Sequence, residues 1–123
     1  MAVRSFEIVP TPWDASGIKL VKWEGLTKTT NDTGEPYICP HFADKSVQLI
    51  GTLGVGGVCT IEGSNMKDTP TYATLNDPQG NTLVMNALKI EQVLENTYLI
   101  RPSITAGDAT TDLDVYLLVH TTR

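Results

Sequence analysis

Few residues of this 123-residue chain have side chains suited to chemistry. They are two cysteines, two histidines and a scatter of carboxylates. Cys39 or Cys59 could serve as a nucleophile if His41 or His120 took its proton. Neither cysteine lies in the Cys-x-x-Cys spacing that a structural zinc site uses. No Gly-x-Ser-x-Gly elbow presents a serine. The thiols therefore read as small buried hydrophobes and the histidines as surface groups. One pair of cysteines does not distinguish a disulfide from two free thiols.

Asp108, Asp112 and Asp114 invite a calcium reading, but their spacing is not that of an EF-hand loop, and they read as solvated charges beside a turn. Gly51 to Gly57 resembles a phosphate loop only in its glycines. It lacks the Lys-Ser/Thr pair and opens no helix whose N-terminus could hold an anion, so a hairpin turn is expected. Asn31-Asp32-Thr33 matches a glycosylation acceptor and is taken as coincidence beside the absence of a signal peptide. Sequence spacing does not measure the carboxylate separation a glycosidase needs. The expectation is a chain that is not an enzyme, with no catalytic residue, no metal site and no cofactor.

The remaining candidates are contact residues. Aromatic side chains bury large area at low entropic cost, so they anchor interfaces. Trp13, Trp23, Tyr37 and Tyr116 could form a protein- or sugar-binding surface, with core packing the simpler role for Trp23. The residues expected at a protein interface are Phe6, Pro10, Pro12, Trp13, Tyr37 and Tyr116.

Short strands must position these groups. Residues 1–16 carry Pro10 and Pro12, which deny donors to a ladder, so they read as an extended arm or an edge strand. A single domain over residues 17–123 follows. Gly17 to Trp23 alternates, with Ile18, Leu20 and Lys22 on one face and Lys19, Val21 and Trp23 on the other. Residues 24–44 are irregular, with a turn at Asn31-Asp32-Thr33-Gly34 and a hidden strand at Tyr37-Ile38-Cys39. Val47, Leu49, Gly51 and Leu53 share a face, and Val58 to Glu62 is expected to return beside them as a hairpin. Thr71 to Leu75 and Asn81 to Asn86 flank Asp77-Pro78-Gln79-Gly80, which has the preferences of a type I turn. Residues 88–95 fit either a strand or a short helix.

Further on, Ile100, Pro102 and Ile104 point one way, with Tyr98. Leu113, Val115, Leu117 and Val119 form the cleanest inward row. Tyr116 and Leu118 lie on the opposite, outer face, which points to a second buried contact. The spacing predicts an all-β, antiparallel sandwich of jelly-roll type with an extended N-terminal arm.

Composition agrees. Hydrophobic content of 41% supports one core in a chain of this size, and plentiful Val, Ile and Thr favour strands. The net charge is −5. Most of the excess falls after Lys45, and no basic patch is available for phosphates, so nucleic acid and anionic membrane are not expected partners. Met1 to Glu7 has no apolar signal region, and synthesis in the cytoplasm is expected.

The order Ser46-Val47-Gln48, Thr60 to Asn65, Leu75 to Asn81, Tyr98 to Pro102 and Gly107-Asp108 to Asp112-Leu113 resembles the small virion proteins of tailed bacteriophages known as capsid decoration or cement proteins. The likeness covers the last two-thirds of the chain. It implies a β-sandwich on the capsid exterior, without an active site. It also implies a dimer or trimer that bridges neighbouring major capsid proteins. Tail and fibre modules that bind carbohydrate or a receptor share such patterns and are the alternative. Four of the seven prolines and both tryptophans precede Lys45, so that segment is expected to supply much of the attachment.

Overall fold

A computed structural model describes residues 2–121. Twelve strands form two sheets: β1 Val3–Arg4, β2 Phe6–Val9, β3 Ile18–Thr27, β4 Thr33–Gly34, β5 Tyr37–Ile38, β6 Asp44–Thr52, β7 Val58–Ser64, β8 Ala73–Thr74, β9 Val84–Met85, β10 Ile90–Val93, β11 Leu99–Ala106 and β12 Asp112–His120. A single 3₁₀ turn, Asp14–Ser16, separates β2 from β3. One sheet runs β10-β6-β12-β3-β2. The other runs β1-β4-β11-β7-β8, with β5 also on β11 and β9 also on β7. All pairings are antiparallel except β1 on β4.

The chain is an all-β sandwich. From β5 onward it passes repeatedly between the sheets, so that β12 lies between β3 and β6 while β11 lies between β4 and β7. This interleaving is that of a jelly roll.

Alternation explains the core. Leu113, Val115, Leu117 and Val119 are all buried, as are Val21 and Trp23 on β3 and Val47 and Leu49 on β6. Cys59 and Ile61 on β7, and Ile100 and Ile104 on β11, meet them from the other sheet within one apolar cluster. Close backbone approach at β4 requires glycine. A Cβ on Gly34 would stand 2.6 Å from both the Trp23 ring and Pro102 Cδ.

Three expectations resolve here. Within residues 88–95 the chain forms the strand β10, Ile90–Val93, rather than a helix, paired along β6 from Ile90–Gln48 to Val93–Lys45. The Asp77–Gly80 turn closes with Gly80 N–H donating to the Asp77 carbonyl at 3.0 Å. Within the expected arm, the described residues 2–16 include two edge strands, β1 and β2. Phe6–Val9 pairs with Trp23–Leu20 and Val3–Arg4 with Thr33–Gly34. The segment straps one side of the sandwich because β2 supplies an apolar ring, Phe6, to the gap beside Trp23.

One expectation is overturned. β6 and β7 are not a hairpin, for they lie in opposite sheets. The glycines do reverse the chain, but the inward rows of the two strands face each other across the core instead of lying side by side. The connection is held by the β11–β12 loop. Asp108 accepts from Val55 N–H at 3.1 Å, and Thr111 Oγ1 donates to the Leu53 carbonyl at 2.8 Å. Local turn chemistry signals a reversal, but which strands pair is decided by the core.

Candidate functional site

The residues with chemical potential do not converge. Cys39 and Cys59 are free thiols, and both are buried. Burial pushes the Cys39 thiol up to about 11, against a small opposing pull from Lys45. Burial likewise pushes Cys59 up to about 12. Thiolate is the reactive form, so neither is a ready nucleophile at neutral pH. We expect a thiol-specific reagent at pH 8 to label fewer than about one in ten native molecules over an hour, and both cysteines once urea unfolds the chain. Rapid labelling of the native protein would show an opening that the fold does not predict.

His41 is exposed on the β5–β6 loop against the Phe42 ring. His120 lies at the end of β12 between Ile18 and Asp44. Among the described residues, no group of three or more His, Cys, Asp and Glu side chains is placed to hold a metal ion. Asp108 is engaged by the Thr110 hydroxyl, the Val55 N–H and the Thr110 N–H, which hold its carboxyl below the usual carboxylate range.

The six expected contact residues divide into three places. Phe6 and Tyr37 belong to an aromatic row at the strapped side. Phe6 meets Trp23 and Tyr37 edge-on, with ring centroids 6.2 and 5.3 Å away, and Tyr37 stacks on Phe42 at 6.3 Å. They complete the core rather than stand free. Pro10, Pro12 and Trp13 lie on the β2–β3 connection, where Trp13 is 61% exposed. That loop is fixed by Asp14, which accepts from the Thr11 N–H and hydroxyl at 3.3 and 3.0 Å. Tyr116 stands alone on the outer face of the five-stranded sheet. Trp23, by contrast, is wholly interior, and its Nε1–H donates to the Glu35 carbonyl at 2.9 Å.

Tyr116 is the centre of the most distinctive surface. Register places Ile90, Gln48, Tyr116, Lys22 and Glu7 in one row across the sheet. Gln92, Ser46, Leu118, Leu20 and Val9 form the next row. A groove of about 280 Å³ runs between them, lined by Leu20, Ser46, Gln48, Ile90, Tyr116 and Leu118. Ile90 is 62% exposed. Lys22 Nζ lies 5.4 Å from the Tyr116 ring centroid and 3.6 Å from a Glu24 oxygen, so its charge is already answered.

At the far end of β12 the same face turns acidic. Glu24, Asp112 and Asp114 surround a hollow of about 360 Å³, floored by Gly25, Gly51 and Thr52. Both glycines hold positive φ, 72° and 114°, and a Cβ on Gly51 would stand 2.4 Å from the Asp112 carbonyl oxygen, so a side chain there is not accommodated. Asp114 is oriented by the Gly25 N–H at 2.9 Å.

The outward alternation of Tyr116 and Leu118, and of Ile18 and Leu20, is legible in the sequence. Ile90 is not, because residues 88–95 fit two periodicities. The joining of β3, β6, β10 and β12 into one face has no local signal at all.

No protein-family model matches the sequence, and no curated protein does. Similar folds are found among solved structures. The SPBc2 prophage-derived protein YomS matches with a TM-score of 0.60 at 12% identity, over 92% of this chain and 98% of that one. An iron(II) HppE structure in complex with substrate matches with a TM-score of 0.44 at 13% identity, and the hydroxypropylphosphonic acid epoxidase from S. wedmorenis in complex with fosfomycin with 0.43 at 14%. This chain spans about half the length of those two, 52% and 49%. At 12% identity the likeness to the prophage-derived protein is one of fold.

Proposed function

We propose that this chain is a structural virion protein of a bacteriophage, which binds the outer surface of the capsid and bridges neighbouring major capsid proteins. The observation that carries the reading is the end-to-end likeness of fold to a prophage-derived chain of matching length. The resemblance of the strand-and-turn segments to capsid decoration proteins supplies the finer role. The physical character of the molecule supports it. The groups able to do chemistry are dispersed, while a sheet face with a groove between Ile90, Tyr116, Leu118 and Leu20 is open to a partner. Its role is binding without catalysis or a cofactor, and its place is the virion exterior after synthesis in the host cytoplasm. Nucleic acid and membrane are not its partners.

Bridging needs at least two contacts per particle, which a dimer or trimer obtains by repeating one surface, and repetition across a shell multiplies a weak contact. Heads of the encoding phage assembled without this chain are expected to bind the purified protein at saturable, symmetry-related positions. Their melting temperature rises by roughly 5 °C or more, because a ligand that binds only the intact shell stabilises it. Heads that neither take up the protein nor gain stability would refute the reading. A second reading, a carbohydrate- or receptor-binding tail or fibre module, is favoured by Trp13, which stands exposed on a fixed, proline-flanked loop. A glycan array probed with wild type and Trp13→Ala separates the two.

A further inference from the structure

The outer face of the β10-β6-β12-β3-β2 sheet has the layout of a docking surface. Two adjacent rows cross it, in which Ile90, Tyr116, Leu118, Leu20 and Val9 alternate with the polar Gln48, Ser46, Gln92, Lys22 and Glu7. Its rim at one end is acidic, with Glu24, Asp112 and Asp114 around an open hollow. Interfaces combine apolar anchors with hydrogen-bonding and charged groups in this way. We infer that this face is where the chain seats on its shell, and that the occupant is a folded protein surface with an apolar centre and a Lys or Arg side chain that enters the acidic hollow. The inference rests on the virion reading and deepens it by assigning the contacting surface and the chemistry of the partner.

Symmetry argues against a second copy of this chain as the occupant. Sheets that pack face to face in the aligned mode keep their strands roughly parallel or antiparallel. In a two-fold pair of that kind the axis lies in the interface, close to the strand direction or across it. An axis along the strands sets Asp112, Asp114 and Glu24 against the same carboxylates of the other copy. An axis across the strands sets them against the opposite end of the sheet, where Leu20, Leu118 and Ile18 strip their water and the basic group on β12, His120, already lies beside Asp44. Lys22, the cation on the rows, is already held by Glu24 and lies beside Glu7. Two chains of net charge −5 repel in addition.

Area agrees with that choice. Three central strands some 30 Å long and two edge strands about 13 Å long, about 4.8 Å apart, give a footprint of roughly 570 Å². A stable dimer in solution buries about 800 Å² per partner. The face is thus modest for a lone dimer and suited to a contact repeated many times over a shell. A partner cation in the hollow also makes the contact salt-dependent, because the carboxylates there are solvent-open.

The test measures binding to heads of the encoding phage that lack this chain, between about 50 and 300 mM NaCl. It uses wild type, Glu24→Lys/Asp112→Lys and Ile90→Ser/Leu118→Ser. Wild-type affinity is expected to fall about tenfold across that salt range. The charge-reversal variant should bind about thirtyfold more weakly at low salt and lose most of the salt dependence. The serine variant should lose about tenfold at every salt. All four positions lie on the outer face, and matching thermal melts certify that the variants fold.

Wild type that binds while both variants bind equally well would overturn the inference and leave the virion reading standing. Wild type that fails to bind would overturn that reading and the inference together. A solution dimer of wild type that Ile90→Ser/Leu118→Ser dissolves would assign the face to self-association, against the inference. So would glycan binding that is abolished by Tyr116→Ala.

Discussion

Replacing Trp23 with alanine should lower the unfolding free energy by about 3–5 kcal/mol, the range for truncating a large buried aromatic ring. The ring is 1% exposed and sits where three elements meet. Phe6 packs edge-on from β2, and Pro102 and Gly34 close on it from the other sheet. Its Nε1–H also satisfies the Glu35 carbonyl, so alanine leaves an acceptor unpaired as well as a cavity. The cavity cannot collapse easily, because the surrounding groups belong to ordered strands of both sheets. Equilibrium urea denaturation is the measurement. A loss under about 1 kcal/mol would mean that the ring is not the packing centre described here. Trp13→Ala is the internal control, since an exposed loop side chain should change stability by no more than about 0.5 kcal/mol.

Asp32 should show the second large effect, and it carries a pH signature. Its side chain is fully buried at the turn between β3 and β4. Oδ2 accepts from Arg4 Nε at 2.8 Å, Thr27 N–H at 2.9 Å and the Thr27 hydroxyl at 3.1 Å, while Oδ1 accepts from the Thr30 hydroxyl. Burial by itself would raise the carboxyl, but these hydrogen bonds outweigh it and hold Asp32 below its ordinary value of 3.8. Asp32→Ala removes the common acceptor of β1, the end of β3 and the turn, at a cost of about 3 kcal/mol near neutral pH. The Arg4 share is small, because its side chain is 42% exposed and rehydrates.

The sign of the pH dependence follows from the lowered value. The folded state binds the proton less readily than the unfolded state, so this stabilisation is fully present above about pH 5. It is lost as pH falls through 3.8 toward the lower folded value. Asp32→Asn keeps the shape and removes the charge. It should therefore be less stable than wild type by about 1 kcal/mol at pH 7, with the gap closing below pH 4. Parallel stability curves for the two proteins down to pH 3 would show that Asp32 is not ionised and bonded as described.

Asp32 also marks a limit of local reading. Asn31-Asp32-Thr33-Gly34 carries a plain turn signal, and Asn31 does take positive φ, 48°. Nothing within those four residues says that the carboxylate will be buried. Its partner Arg4 is 28 residues away. The same holds for Lys45, which reads as an ordinary strand cation. It is interior, with Nζ donating to the Phe42 carbonyl at 3.2 Å and to Asn96 Oδ1 at 2.8 Å. Burial pulls its pKa down, partly opposed by Cys39 and the carboxylates of Asp44 and Glu95. Asn96 is 51 residues from Lys45, and only the passage of β6 beside the β10–β11 loop brings them together.

Residue order alone determined the all-β class, the inward row of β12, the alternation of β3 and the Asp77–Gly80 turn. Each depends on neighbours two to four residues apart, through the two-residue period of a strand or the steric preferences of a turn. Tertiary structure alone decided that β6 and β7 face each other across the core, that Phe6 and Trp23 are packing partners, and that Tyr116, Leu118, Leu20 and Ile90 share one open surface. Those outcomes depend on pairings between strands up to about a hundred residues apart. Such pairings are selected by the burial of all the inward rows at once, and no short stretch of chain carries that information.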